Sequence, residues 1–319
     1  MFDALVQFIA AQFAALHGHV FETGVLPLLH ALGFGGYAEQ AFDGTEFFLL
    51  GAIEITLLSI VLGAAEKWWP AEVQADDSAK RVDMIYTMLH RLGFIPLLMF
   101  LLLMPLVDAV DGAMRMHDII PWKLEDALPF LNDSPWLSFC FYLVILDGVS
   151  YWLHRGQHQL NWWWALHSLH HSQREMTFWS DDRNHLLDDL LIDGVFALIA
   201  LLIGVAPGQF VALLVATRVI ESLSHANLRL SFGRMGEYLL VSPRFHRVHH
   251  GIGVGHEGSA RGCNFAVLFP LWDVLFRTAN FANIYPPTGV RDQLFGAEYG
   301  SGFFSQQGLA MKRLLRVFG

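Results

Sequence analysis

The sequence predicts an all-α integral membrane protein, a helical bundle bearing a histidine-rich helical cap on its cytoplasmic side. Three observations carry that expectation. Hydrophobic residues make up 54% of the 319-residue chain and charged residues only 16%, with a mean hydropathy of +0.40, whereas ordinary soluble domains are about 25% charged. Apolar runs of spanning length recur along the chain. Eight histidines crowd into short clusters that follow those runs: His154 and His158, then His167, His170 and His171, then His246, His249 and His250.

A bilayer core of about 30 Å needs roughly 20 mostly apolar residues as helix. Residues 1–34 are apolar and carry His17, His19 and His30; they fit an interfacial helix or a span. Phe47 to Ala65 fits a span broken only by Glu54, Leu92 to Val107 fits a second, and Pro135 to Leu153 fits a third that runs into the first histidine cluster. Leu190 to Ser222 reads as two shorter helices joined at Pro207-Gly208, a turn signal. Leu309 to Phe318, with Lys312, Arg313 and Arg316, reads as a basic amphipathic helix, suited to anionic lipid or to solvent.

Orientation follows from positive charge. The 66–91 loop carries Lys67, Lys80, Arg81 and Arg91, whereas 111–134 carries only Arg115 and Lys123 among five acidic residues. That places 66–91 in the cytoplasm, and with 190–222 as a hairpin both histidine patches share the cytoplasmic side. The chain is therefore expected to be a multi-pass membrane protein. A formal net charge of −10 argues against a nucleic-acid partner. Two cysteines, Cys140 and Cys263, are too few for a cysteine-ligated iron–sulfur cluster. The amino terminus lacks the basic region of a cleaved signal peptide.

The histidine spacing points to metal. Residues three and four apart on a helix share a face, so His154 and His158 can meet one ion. His167 pairs in the same way with His170 or His171, and His246 with His249 or His250. Adjacent histidines cannot share a face, so His170/His171 and His249/His250 are expected to divide between two ions or two sides of one site. An all-imidazole set suits zinc, copper, iron or nickel, but is excessive for structural zinc. No E-x-x-H or H-E-x-x-H motif is present.

These residues carry a resemblance. His154-Arg155-x-x-His158, Trp164-x-x-His167-x-x-His170-His171-Ser172 and Pro243-Arg244-Phe245-His246-Arg247-Val248-His249-His250 resemble the fatty acid hydroxylase/sterol desaturase superfamily. Asn264-Phe265 and Leu271-Trp272-Asp273-Val274-Leu275-Phe276-Arg277-Thr278 resemble its N-[FY]-G and WDxLFGT elements, with Ala266 and Arg277 standing where the pattern has glycine. The resemblance covers about 140–280. It implies a membrane-embedded centre of two iron ions that activates O2 against an unactivated C–H bond of a lipid. It also makes His225 a ninth ligand beside the eight clustered histidines. The chain then divides into an N-terminal membrane region (1–134), a hydroxylase/desaturase-like catalytic region with its hairpin (135–285) and a cytoplasmic tail (286–319).

Support for the ligands is expected from Asp147, two turns before His154, from Glu221, four residues before His225, and from Asn264, each hydrogen-bonding a histidine. His185 is a weaker candidate ligand, and His256 is placed near the substrate mouth. Trp162, Trp163 and Trp164 read as an interfacial belt, with a lid over the metals as the alternative, and Asp181, Asp182, Asp188 and Asp189 as a solvated or capping cluster. The chain shows no haem-attachment motif, cysteine-rich cluster or dinucleotide fingerprint. Electrons would therefore come from a separate ferredoxin- or cytochrome b5-type protein. Two other readings stay open: desaturation of a sterol-like or carotenoid lipid by the same centre, and a non-catalytic metal- or lipid-binding membrane protein.

Overall fold

A computed structural model describes residues 2–74, 78–205, 207–256 and 261–319. They form α-helices and short 3-10 or π turns; among the described residues there are no strands, only two isolated bridges. Helices α1 (Phe2–Val20) and α2 (Leu26–Ala31) are joined through a π segment at Phe21–Val25. His17 fixes this unit to the next helix through Nε2 and the Phe42 carbonyl, 2.9 Å apart.

Three helices are long and apolar enough to cross a bilayer: α3 (Ala38–Trp68), α5 (Phe94–Met116) and α7 (Pro135–Gln159). Helices α3 and α7 contain the first and third apolar runs, and α5 begins two residues into the second. Helix α3 buries Gly51, Ile55 and Leu62 along one face and exposes Leu57, Ile60 and Val61 on another, the one-sided pattern of a helix with a protein face and a lipid face. Gly51 permits the tight crossing with α4 (Ser78–Arg91), since a Cβ there would lie 1.7 Å from the Arg91 carbonyl oxygen.

Arg91 ties the bundle together. Its guanidinium reaches Glu54 of α3 at 2.5 Å, Asp181 at 2.6 Å, Asp182 at 2.8 Å and Ser222 at 2.7 Å. The side chain is 1% exposed, so it is no free loop charge of the kind the orientation argument counted. The same contacts correct the solvated-cluster expectation for Asp181 and Asp182, which are buried, as Asp188 is among other partners. The counter-charge of Asp181 and Asp182 comes from about ninety residues away in sequence, where no local pattern reveals it.

His90 makes the neighbouring pair. Nε2 lies 3.1 Å from Asp189 and Nδ1 lies 2.9 Å from the Tyr86 carbonyl, so both ring nitrogens face acceptors. Burial favours the neutral ring, but the Asp189 charge and hydrogen bond outweigh it and push the His90 pKa from 6.5 up to about 9. The folded state therefore holds a proton that the unfolded chain releases near 6.5. The stabilisation is complete below that value and is lost as pH rises through about 9. Thermal unfolding across this interval should show wild type losing stability steadily, while His90→Gln stays flat; parallel curves would refute the pairing.

Beyond α5, the short α6 (Leu124–Ala127) leads into α7, and α8 (Asn161–His171) follows almost without a break. Helices α9 (Leu186–Leu202) and α10 (Pro207–His225) make the hairpin that the Pro207-Gly208 signal indicates. Helix α9 packs on α5, where Gly194 admits Leu103. Short helices α11 (Gly233–Gly236), α12 (Pro243–His249) and α13 (Leu271–Leu275) build the cap. The last helix, α14 (Phe303–Phe318), packs on α8 with Gln306 and Ala310 buried. It is thus a docked helix whose Lys312 and Arg316 stay exposed, and Arg313 stacks on the Tyr299 ring at 4.0 Å.

Candidate metal centre

Local rules explain how each histidine is presented. The carboxyl end of α7 carries His154 and His158 one turn apart, and α8 carries His167, His170 and His171. Ser242 caps α12 by accepting from the Phe245 amide at 3.1 Å, with Pro243 at its first position. This starts a seven-residue helix whose face holds His246, His249 and, just past its end, His250. His225 ends α10.

These elements converge on two buried sets of four imidazoles. His154, His158, His171 and His249 form one; His170, His225, His246 and His250 form the other. Within each set one nitrogen per ring lies within 4.8 Å of all the others. The sequence neighbours His170 and His171 fall in different sets, as do His249 and His250. The sets abut, with the His171 and His250 rings 4.2 Å apart.

The donor geometry fits metal ions. Nε2 atoms face one another at 3.1 Å for His158–His171, 3.1 Å for His170–His225, 3.0 Å for His225–His246 and 3.1 Å for His246–His250. Metal–imidazole bonds of about 2.0–2.1 Å put neighbouring donors about 3.0–3.4 Å apart around one ion. Several remote nitrogens are fixed by main-chain carbonyls: His154 Nδ1 donates to Phe265 at 2.8 Å, His249 Nδ1 to Cys263 at 2.7 Å and His225 Nδ1 to Glu221 at 2.8 Å. That tautomer leaves the Nε2 lone pair facing inward. Burial first, then the neighbouring imidazoles, hold His170, His171, His246, His249 and His250 well below the usual histidine pKa. They therefore stay neutral, the form that ligates.

His167 stands apart. It belongs to neither set, although its ring is 5.1 Å from His154 and 5.0 Å from His171. Its Nδ1 donates to Asp188 at 3.3 Å, and its Nε2 is buried without a partner among the described residues.

The expected support residues act differently from expectation. Asp147 accepts from the amides of Leu268 and Phe269 at 2.8 and 3.0 Å and from Trp272 Nε1 at 3.0 Å. It pins the 264–278 loop to α7, and that loop supplies the Phe265 carbonyl to His154. Glu221 serves His225 through its main-chain carbonyl, one helical turn back, rather than through its carboxylate. Asn264 donates to the carbonyls of Phe245 and Asn280 at 2.9 and 3.0 Å. It also adopts φ 58°, so it locks a left-handed turn behind α12. His185 caps α9, accepting from the Leu187 amide at 3.0 Å and donating to the Gln307 carbonyl at 3.2 Å. Both its nitrogens are engaged away from the site.

The side chain that sequence reasoning missed is Asp188. It is 2% exposed and accepts from Trp163 Nε1 at 2.6 Å, from Gln157 Nε2 at 2.9 and 3.0 Å, and from His167. Its position in the first turn of α9, beside Asp189, gave only the signal of a helix-start acid. The tryptophans also depart from a belt. Trp163 is buried on Asp188, and the Trp164 ring lies 4.9 Å from His158 and 4.8 Å from His256.

A cavity of about 270 Å³ opens between α7, α9 and α10 and reaches His154, His167, His170, His225 and His246. It touches both imidazole sets. Its far end is apolar, walled by Leu143, Leu146, Phe196 and Leu213.

The fatty acid hydroxylase family model matches residues 139–278. Alkylglycerol monooxygenase of Caenorhabditis elegans is 28% identical over 163 residues, which are 50% of this chain and 30% of that protein. The human alkylglycerol monooxygenase is 29% identical over 154 residues, 47% of this chain and 32% of that protein. An ornithine lipid hydroxylase of Rhizobium tropici is 27% identical over 164 residues, 51% of this chain and 47% of that protein. The chain thus spans about a third to a half of the length of these relatives. No solved structure matches.

Proposed function

We propose that this chain, which belongs to the fatty acid hydroxylase family through residues 139–278, is a multi-pass membrane enzyme that inserts one oxygen atom from O2 into an unactivated C–H bond of a lipid. The observation that carries the reading is the meeting of both imidazole sets with one cavity whose far end is apolar. His154, His158, His171 and His249 would hold one iron, and His170, His225, His246 and His250 the other. Two irons held there would supply O2 activation and removal of the hydrogen atom.

The chain's own residues do the rest. The Phe265, Cys263 and Glu221 carbonyls fix ring orientation. Asp188 holds His167 against both sets. Trp164 and Phe265 pack around the rings, with Trp163 buried on Asp188 behind them, and keep bulk water out. The cavity wall holds the reacting carbon, and small misplacement there is costly in rate. The centre faces the cytoplasm, where a ferredoxin- or cytochrome b5-type donor reaches it. The names of the relatives, monooxygenase and hydroxylase, favour oxygen insertion over desaturation.

Metal analysis of the purified protein tests this. Two irons per chain are expected, one for each set. Chelation should abolish turnover and iron should restore it, with one oxygen-18 atom from labelled O2 in the lipid product. Zinc alone, or no metal, would support a binding protein instead.

A further inference from the structure

The cavity wall is ordered along α10. Leu213 and Leu214 come first, then Arg218 and Glu221, then Ser224 and His225. At about 1.5 Å of rise per residue, Leu213 lies about 18 Å from His225 along the axis, Arg218 about 10 Å and Glu221 about 6 Å. Helix α9 mirrors the order, with Phe196 packed into the apolar cluster around Leu213 and Asp193, an exposed residue that lines the cavity, in electrostatic reach of Arg218. A polar layer therefore stands between the apolar end and the histidines.

Most acidic groups on this wall are already committed. Asp147 holds the 264–278 loop, Asp181 and Asp182 hold Arg91, Asp188 holds His167, and Asp189 holds His90. Asp193, Arg218 and Glu221 remain; among the described residues their side chains neither give nor accept a hydrogen bond, although Arg218 attracts both carboxyl groups. Ionisable side chains kept within apolar hairpins mark binding sites for polar groups. An alkyl chain threaded past this layer would leave two carboxyl groups and a guanidinium facing methylenes, which is unfavourable. A head group with O–H or N–H donors would satisfy the carboxyl groups, and its oxygens could accept from Arg218.

Resting on the lipid-oxidising reading above, we propose that Asp193, Arg218 and Glu221 seat the hydroxyl- or amine-bearing head of the substrate lipid. The carbon brought to the histidines then lies in that head or next to it, while the tail runs between Leu143, Phe196 and Leu213. Two carboxyl groups against one guanidinium select against an anionic head.

The test uses the full-length, iron-loaded protein in nanodiscs and three radiolabelled probes: monooleoylglycerol, its isopropylidene ketal, which masks both hydroxyls, and lysophosphatidic acid. Wild type should bind the free diol at least about tenfold more tightly than the ketal or the phosphate. Asp193→Asn and Arg218→Gln should erase most of that preference while leaving ketal affinity and iron content unchanged, and Glu221→Gln should erase it as well. Mass spectrometry of any oxidised probe should place the new oxygen within the head or on the adjoining carbons. Equal binding of diol and ketal, tighter binding of the phosphate, equal loss for both neutral probes in the variants, or oxidation in mid-chain would each overturn the proposal. Failure of the enzymatic reading looks different: head-group preference persists, but no lipid is oxidised by the iron-loaded protein.

Discussion

His170→Ala and His171→Ala, neighbours in the sequence, are expected to strip different ions. His170 belongs with His225, His246 and His250; His171 belongs with His154, His158 and His249. Changing a residue that merely supports a ligand commonly costs about 10–100-fold in metal affinity or activity, so loss of a ligand itself should cost at least about a hundredfold in turnover. Each variant should retain about half the metal of wild type, since the other set is intact. The chain should still insert, because the three helices long and apolar enough to cross a bilayer do not depend on α8 for their apolar length. Metal analysis and turnover on membranes from both variants check this. Full metal content with retained turnover in either one would remove that residue from the centre.

Asp188→Ala should be the most damaging change at a residue outside the two imidazole sets. It leaves Trp163 Nε1, Gln157 Nε2 and His167 Nδ1 as buried donors without an acceptor. At about 1–3 kcal/mol for each unpaired buried donor, a loss of about 3–5 kcal/mol in stability is expected. Metal affinity should fall about 10–100-fold, because His167 and the start of α8 lose their anchor. Asp188→Asn keeps the shape and one acceptor oxygen, so it should fall between wild type and alanine on both scales. Thermal unfolding in detergent and metal retention during dialysis are the readouts. If Asp188→Ala melts and holds metal like wild type, Asp188 does not position the centre.

Much of the architecture was legible because it is written locally. The three spans are continuous apolar runs, the α9–α10 hairpin is marked by Pro207-Gly208, and the histidines announce themselves by one-turn spacing. What stayed hidden depends on residues distant in sequence. Asp181 and Asp182 look like surface acids until Arg91 arrives from another helix. Asp188 looks like a helix-start acid until Gln157, Trp163 and His167 close on it. Asp147 does lie below His154 on α7, but at its level the neighbours are the 268–269 backbone and the Trp272 indole. Glu221 shows that one-turn spacing identifies the residue and not the atom, since the main chain already offers an acceptor four positions back.

Arg277, where the family pattern has glycine, takes φ 58° and keeps the left-handed turn that closes the 264–278 loop. The structure gives that departure a backbone role, in a conformation that disfavours a side chain.

The facing Nε2 lone pairs have a cellular consequence. Neutral rings facing one another nitrogen to nitrogen gain most from a cation between them, so a metal ion bound there would stabilise the folded cap of a newly inserted chain. A ligand that binds the native state alone shifts the folding equilibrium in proportion to its supply. Starvation for that metal should then shorten the protein's lifetime in the membrane, through proteolysis, as well as silence the protein already made.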